Sequence, residues 1–428
     1  MAIWKKKRYQ PEQIVQKIKS YRESGRNGDP FFDTEIRTLL ASMIEFDLTL
    51  PEAEKVRIIS TALRQVLTGP DVNEDNILKA ISILEHQFLN QPTNRYVLAT
   101  ALSVKTNSLF PRKSVDGAML TFTSSLPTDF RREHEKFKEH AKLLLIPSLP
   151  VGYQSVRVHL HARSAAEAAQ IALDRLDLLR AIWNLHLHRG RTKVTWGRRN
   201  QPVNQILLGP LHSLHFPSGK LATDTFWYEP RYRFPSSPIS LDDKRDKLFA
   251  FETQIRKCLK QLNYKITMEQ ALLRYVRALD EHDWQKSFSR LWSLLELLTH
   301  TQQANYDVTI RRACFLFEER DYYRQILEHL RENRNRSTHD DEGTEEIEAL
   351  MYQLKNIIDV LLVRQIFNRL KFDSMAEWGE FLDMSVDPNA LSNQLVNLRN
   401  DITKLNRTIN IVQKALRFRR ANSDSGES

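Results

Sequence analysis

Phe288-Ser289-Arg290-Leu291-Trp292-Ser293-Leu294-Leu295-Glu296-Leu297-Leu298 is the most telling segment of this chain for its architecture. Phe288, Leu291, Trp292, Leu295 and Leu298 recur at three- and four-residue steps, which lines them along one side of an α-helix. Just upstream, Leu272, Leu273, Val276 and Leu279 make a second stripe. A third helical region spans about 308–333. A fourth, from Thr344 to about Leu370, carries Ile347, Leu350, Met351, Leu354, Ile358 and Leu361. Helices with one apolar stripe each must bury those stripes together, so residues 246–375 are expected to form a four-helix bundle.

Beyond the bundle, Leu391, Leu395, Leu398, Ile402, Leu405, Ile409, Val412 and Leu416 are spaced 4, 3, 4, 3, 4, 3, 4. That is a heptad seam, read as a coiled-coil helix over 388–418. Residues 419–428, Ser-rich after a basic run, read as a disordered tail. An isolated helix of this length is marginal in water, so the seam must bury against a second copy or against its own bundle. Isoleucine at two a positions and leucine at three d positions favour a parallel pair, hence a homodimer.

Toward the N-terminus the texture changes. Val156-Arg157-Val158-His159-Leu160-His161-Ala162 alternates strictly, as a half-buried strand does. Ser164 then opens a helix rich in Ala and Leu, and β-like segments follow at 192–196 and 205–232. Pro235, Pro238 and Asp242-Asp243-Lys244-Arg245 read as a linker. Residues 112–240 are therefore expected to be a small α+β domain. Residues 11–106 read as helices on stripes such as Ile77, Ile81, Leu84 and Phe88, giving a helical N-terminal domain over 1–110. The expected fold class is mainly α with a small α+β middle domain, a C-terminal four-helix bundle and a coiled-coil helix.

The net charge of +10 points to a polyanionic partner, most simply nucleic acid. Two cysteines, Cys258 and Cys314, cannot make a disulfide framework, which suits a reducing cytoplasm. The basic start Met1-Ala2-Ile3-Trp4-Lys5-Lys6-Lys7-Arg8 is followed by no apolar run, so neither a signal peptide nor a membrane span is expected. No Walker loop or G-x-G-x-x-G occurs, which leaves nucleotide hydrolysis and dinucleotide binding without support. His134-Glu135 with His140 misses the zinc-protease spacing, since Lys138 stands where the second histidine belongs. His159 with His161, and His186 with His188, lack acidic or thiol companions at ligand spacing. No metal and no cofactor is expected.

Between the third and fourth helical regions stands Arg334-Asn335-Arg336-Ser337-Thr338-His339. Arginine grips a phosphate through two parallel N–H bonds, and histidine moves a proton near neutral pH. On one continuous helix the two would diverge by roughly 140°. They converge if the helix ends between them or if two copies meet. Asp340, Asp341 and Gly343 read as a break, and Thr344 with Glu345 and Glu346 as the next helix start. A second basic cluster, Arg189, Arg191, Lys193, Arg198 and Arg199 around Trp196, could hold an RNA backbone and stack a base, or could be a solvated loop.

Leu273-Arg274-Tyr275-Val276-Arg277-Ala278-Leu279-Asp280, Trp284 and the 291–298 segment, followed by the Arg-polar-x-x-x-His motif, resemble the Apea-like branch of the HEPN superfamily of metal-independent ribonucleases. The resemblance covers about residues 255–371. It implies a catalytic pair of Arg334 and His339, with Asn335 at the polar position, Arg336 as an added RNA contact and Glu296 as a supporting acid. It also implies an endoribonuclease acting in phage defence or as a regulated toxin, active as a dimer with a composite cleft, and answering a phage-derived or cellular trigger. The other reading is a non-catalytic adaptor that uses bundle and coil for assembly.

Overall fold

The computed structural model describes residues 2–5, 9–23, 30–46, 50–189, 202–230, 232, 237–302, 305–336 and 346–424. The fold is mainly α with a small antiparallel sheet, and none of the described helices is long and apolar enough to cross a membrane. The chain divides into two compact units.

The first unit takes in Met1–Arg191, Trp196–Lys257 and Leu272–Ser287. It begins with the short strand β1 (Ile3–Trp4), helices α1 (Pro11–Glu23) and α2 (Pro30–Met43), strand β2 (Ile44–Glu45), then α3 (Glu52–Thr68) and α4 (Glu74–Leu89). One apolar core gathers Ile18, Leu40, Ile58, Ile59, Ile77, Ile81 and Phe88, each no more than 1% exposed. The Asn73 side chain caps α4 by accepting from the Asn76 backbone N–H at 2.8 Å.

Six strands follow: β3 (Asn94–Lys105), β4 (Arg112–Val115), β5 (Ala118–Thr123), β6 (Tyr153–Ala162), β7 (Leu211–His215) and β8 (Leu221–Tyr228). They lie in the order β4-β5-β6-β3-β7-β8, every neighbour antiparallel. Asp116 and Gly117 join β4 to β5 with positive φ at both positions, as a two-residue hairpin of this twist requires. Helix α7 (Ala165–His188) belongs to the same core as the sheet: Leu98, Leu120, Val156, Val158 and Leu214 share one fully buried cluster with Ala168, Ala172, Leu176, Leu179 and Trp183. Ser164 caps α7 on the Glu167 N–H at 3.1 Å, and Glu167 reaches back to the Arg163 N–H. Helices α5 (Thr128–Glu135) and α6 (Lys138–Leu143) lie between β5 and β6 in sequence.

This differs from the sequence reading, in which residues 11–106 are expected to be helical and the β-containing part to begin at 112. Asn94–Lys105 is the longest strand of the sheet, bonded to β6 and β7. Nine consecutive residues of it are buried, so both faces are covered and no alternation marks it.

Helix α8 (Arg245–Gln261) gives its first thirteen residues to the first unit, and helix α9 (Lys265–Leu279) its last eight. A buried polar network ties α7 to this part of α9. Arg180, 0% exposed, donates to Asp177 at 2.6 Å and to Asp280 at 2.9 Å, and Arg277 donates to Asp174 and Asp177. The single bundle expected over 246–375 is therefore shared between the two units.

The second unit takes in Cys258–Ala271 and the described residues of Phe288–Ser428. Helix α10 (Trp284–Leu298) enters it at Phe288 and ends in a Schellman turn. His300 has φ of +53°, the Thr301 N–H donates to the Glu296 carbonyl and the His300 N–H to the Leu297 carbonyl. The third region, expected as one helix over 308–333, is two: α11 (Tyr306–Cys314) and α12 (Arg320–Arg336). Phe315 and Phe317, in the connection, turn instead to pack on Phe381 and Tyr323. Helix α13 (Ile347–Phe367) ends at Asn368 in the left-handed region, and a short α14 (Met375–Leu382), not expected, follows. The orphan carbonyls at the end of α10 are answered from three helices. Arg312 donates to Thr299 and His300, while Gln365 and the Trp378 indole donate to Leu298.

Helix α15 (Pro388–Asp424) continues past 418 to Asp424, where a disordered tail is expected from 419. Arg419, Arg420 and Ala421 are good helix formers, and the first glycine is Gly426. Every residue from Pro388 to Arg417 is exposed. The seam therefore does not pack back on its own bundle.

Candidate active site in the second unit

Arg334 sits in the last turn of α12, one helical step beyond Leu330 and Leu327, which are fully buried. Those two leucines fix the roll of the helix. Asn333 is held by the His329 carbonyl at 2.9 Å, and Arg331 is committed to Asp307 at 2.6 Å on the first turn of α11. Arg334 is thereby aimed at Tyr306, the first residue of α11. Its guanidinium carbon lies 4.8 Å from the centre of the Tyr306 ring. Cation–π stacking of this kind holds the plane of the fork while leaving its N–H edge directional.

Tyr306 is held in turn by Trp292 on α10, edge to face at 6.0 Å and 81°. Asn305 starts α11 by accepting from the Asp307 N–H, which sets Tyr306 at the mouth of that helix. The Trp292 indole donates to Glu296 Oε1 at 3.0 Å, one turn further along α10. Glu296 is half-buried rather than on an exposed face. Burial pushes its carboxyl upward, while the Arg334 charge and the Trp292 hydrogen bond pull the other way. Arg334, Tyr306, Trp292 and Glu296 thus form one layered cluster from three helices, with a cation and a carboxylate sharing a partly desolvated corner.

Of the residues singled out in the sequence, Arg334 and Glu296 are brought into electrostatic reach of each other. Asn335 and Arg336 complete the final turn of α12. His339 lies outside the described residues, so its relation to Arg334 is not set by them. Arg189 closes α7, and Arg191, Lys193, Trp196, Arg198 and Arg199 also lie outside the described residues. Sequence reasoning did not place Trp292 and Tyr306 beside Arg334 and Glu296. Trp292 carried one signal: it stands four residues before Glu296, on the same side of a helix. Tyr306 carried none, since only the packing of α11 beside α10 brings its ring beneath Arg334.

This cluster can present a planar cation to an anionic group beside an acid of altered proton affinity. Comparison of the chain with protein-family models, with curated proteins and with solved structures found no match.

Proposed function

We propose that this chain is a metal-independent endoribonuclease of the HEPN type, cleaving RNA through Arg334 and His339. The observation that carries the reading is the fixed stacking of Arg334 on Tyr306 beside Glu296, at the helix end where the Arg-polar-x-x-x-His motif begins. In this mechanism Arg334 holds the scissile phosphate and offsets the charge that grows on it. His339 takes the proton from the ribose 2′-hydroxyl or returns one to the leaving 5′-oxygen. Glu296 positions Arg334 rather than touching substrate. The basic charge of the chain favours a polyanionic substrate, and the resemblance suggests a role in phage defence or as a regulated toxin.

Purified protein incubated with total RNA, with and without chelator, tests this. Cleavage is expected in both, leaving 2′,3′-cyclic phosphate ends. His339→Ala, Arg334→Ala and Arg334→Lys should each lower the rate by at least about 100-fold with the helical circular dichroism unchanged, since an ammonium does not reproduce the planar fork. Cleavage that needs a divalent cation, or that survives His339→Ala, would overturn the mechanism.

A non-catalytic adaptor is the second reading, favoured by one observation. Helix α15 exposes eight seam residues by 37% to 62% of their area, a surface built for assembly. Intact RNA-independent assembly with no cleavage would select it.

A further inference from the structure

The first unit contains a cavity of 460 Å³ between α5–α6, the 146–152 loop and strands β3 and β6. That is the size range of pockets that hold small ligands. Its wall includes one histidine, His134, at the end of α5. A chain of hydrogen bonds runs from this ring into the sheet: His134 Nδ1 to Ser213 Oγ at 2.6 Å, Ser213 Oγ to His215 Nε2 at 2.7 Å, and His215 Nδ1 to the Gly219 carbonyl at 2.8 Å.

The direction of that chain is fixed at its far end. A carbonyl only accepts, so His215 Nδ1 carries the proton and donates. Burial lowers the proton affinity of both rings, so each is neutral and carries one N–H. His215 Nε2 is then bare and accepts from the Ser213 hydroxyl. Ser213 Oγ must accept from His134 Nδ1–H, and His134 Nε2 is left as a lone pair. No described residue hydrogen-bonds to that nitrogen, and it is not among the buried atoms lacking a hydrogen bond. The anchor is rigid. Gly219 has φ of +90°, and a Cβ there would fall 2.8 Å from the Asp129 Cβ, so α5 packs directly on the turn that holds His215.

Around the same cavity stand Arg131, Lys138 and Lys142, against the single carboxylate Glu135. Lys138 pairs with Glu135 at 2.9 Å and Lys142 with Glu139 at 2.7 Å, both pairs largely in solvent. An apolar part of the wall comes from Ile146, Leu149, Pro150 and Leu211. A ligand suited to this space has an anionic group for the cations, an apolar ring system for that wall, and an N–H or O–H donor for the bare imidazole nitrogen.

We propose that this cavity binds a nucleotide, with its phosphate toward Arg131, Lys138 and Lys142 and a donor of its base or ribose on His134 Nε2. This goes beyond the ribonuclease reading and does not depend on it, because every residue involved belongs to the first unit.

Isothermal titration of the full-length protein with AMP, GMP, CMP and UMP, and with the matching nucleosides, tests the proposal. At least one nucleotide should bind saturably, at least tenfold more tightly than its nucleoside. Arg131→Glu with Lys142→Glu should weaken that binding at least tenfold. His134→Asn keeps an N–H for Ser213 but removes the second ring nitrogen, and it should weaken nucleotide and nucleoside alike. Ser125→Trp, which fills the cavity from an exposed position, should abolish binding should His134→Asn fail to fold. No binding by any of the four at millimolar concentration, equal affinity for nucleoside and nucleotide, or binding untouched by the charge reversals and Ser125→Trp would each overturn it. Cleavage of RNA is scored separately, so loss of one result leaves the other standing.

Discussion

Arg180 carries a charge into the interior of the first unit. It is wholly buried, and Asp280 and Asp177 keep it charged against the penalty of burial. Removing it strands two carboxylates in a dry setting, whereas the pair itself is worth far less than its breakage. Arg180→Met should therefore lower unfolding stability by about 3–5 kcal/mol in denaturant titration; a loss under about 1 kcal/mol would mean that Arg277 and Asn204 suffice for the two acids. His134 makes a different demand. Burial, with repulsion from His215, His212 and Lys138 and opposed by Glu135, pushes it down to about 4. Unfolded, the ring has its ordinary value near 6.5, so between those values the unfolded chain holds a proton that the folded chain refuses. The stability tied to the neutral ring is complete above the unfolded value and lost as pH falls toward the folded one. His134→Asn should flatten the acid side of the stability curve between about pH 6.5 and pH 4. An unaltered curve in that window would contradict the neutral, Nδ1-protonated ring.

Among the elements, α15 is the one whose sequence and surroundings disagree most. It has an unbroken 4-3 seam, yet every residue from Pro388 to Arg417 faces water. A single helix has no reason to keep eight large apolar residues in register, and a second copy supplies the matching holes. The flanking e and g positions Arg399, Asp401, Asn406, Thr408 and Gln413 place no like charges opposite one another in a parallel pair. We expect light scattering to give twice the chain mass of 50.2 kDa. Ile402→Asp with Leu405→Asp should return it to one chain mass while leaving the melting of both compact units in place. A wild-type protein that scatters as a monomer would refute pairing through α15. If the ribonuclease reading holds, the same double variant should also reduce cleavage, because the motif at the end of α12 is then deprived of its second copy.

For the molecule taken entire, charge is the property that acts furthest. A net charge of +10 raises encounter with any polyanion and makes affinity depend on displaced counterions. RNA binding by the full chain should therefore weaken steeply as salt rises, with a log–log slope of several units by filter binding. Charge reversals confined to Arg189 and the cations at 191–199 should reduce that slope if these residues follow the RNA backbone. A slope that does not change returns those residues to a solvated role and leaves recognition to other surfaces. The cavity variants at Arg131 and Lys142 provide the internal control, since a mononucleotide site contributes little to the salt dependence of a long RNA.

Local, periodic features are legible in the amino-acid order. The stripes of α10 and α13, the heptad register of α15, the alternation of β6 and the Ser164 start of α7 can all be read there, because each is a repeat or a boundary of one element's own geometry. Other features exist only once the chain is packed. Strand β3 carries no alternation because both its faces are covered, and coverage comes from segments far along the chain, such as α7 and Tyr232. The 308–333 region breaks at Phe315 because its rings find Phe381 and Tyr323, which no helical period records. Glu296 and Arg334 come together only because Tyr306 of α11 lies between Trp292 of α10 and Arg334 of α12. The His134–Ser213 contact spans 79 residues of sequence. Periodicity reports which face of an element is apolar; it contains no information about which distant polar groups meet, since that follows from how buried faces pack and which hydrogen bonds must then be satisfied.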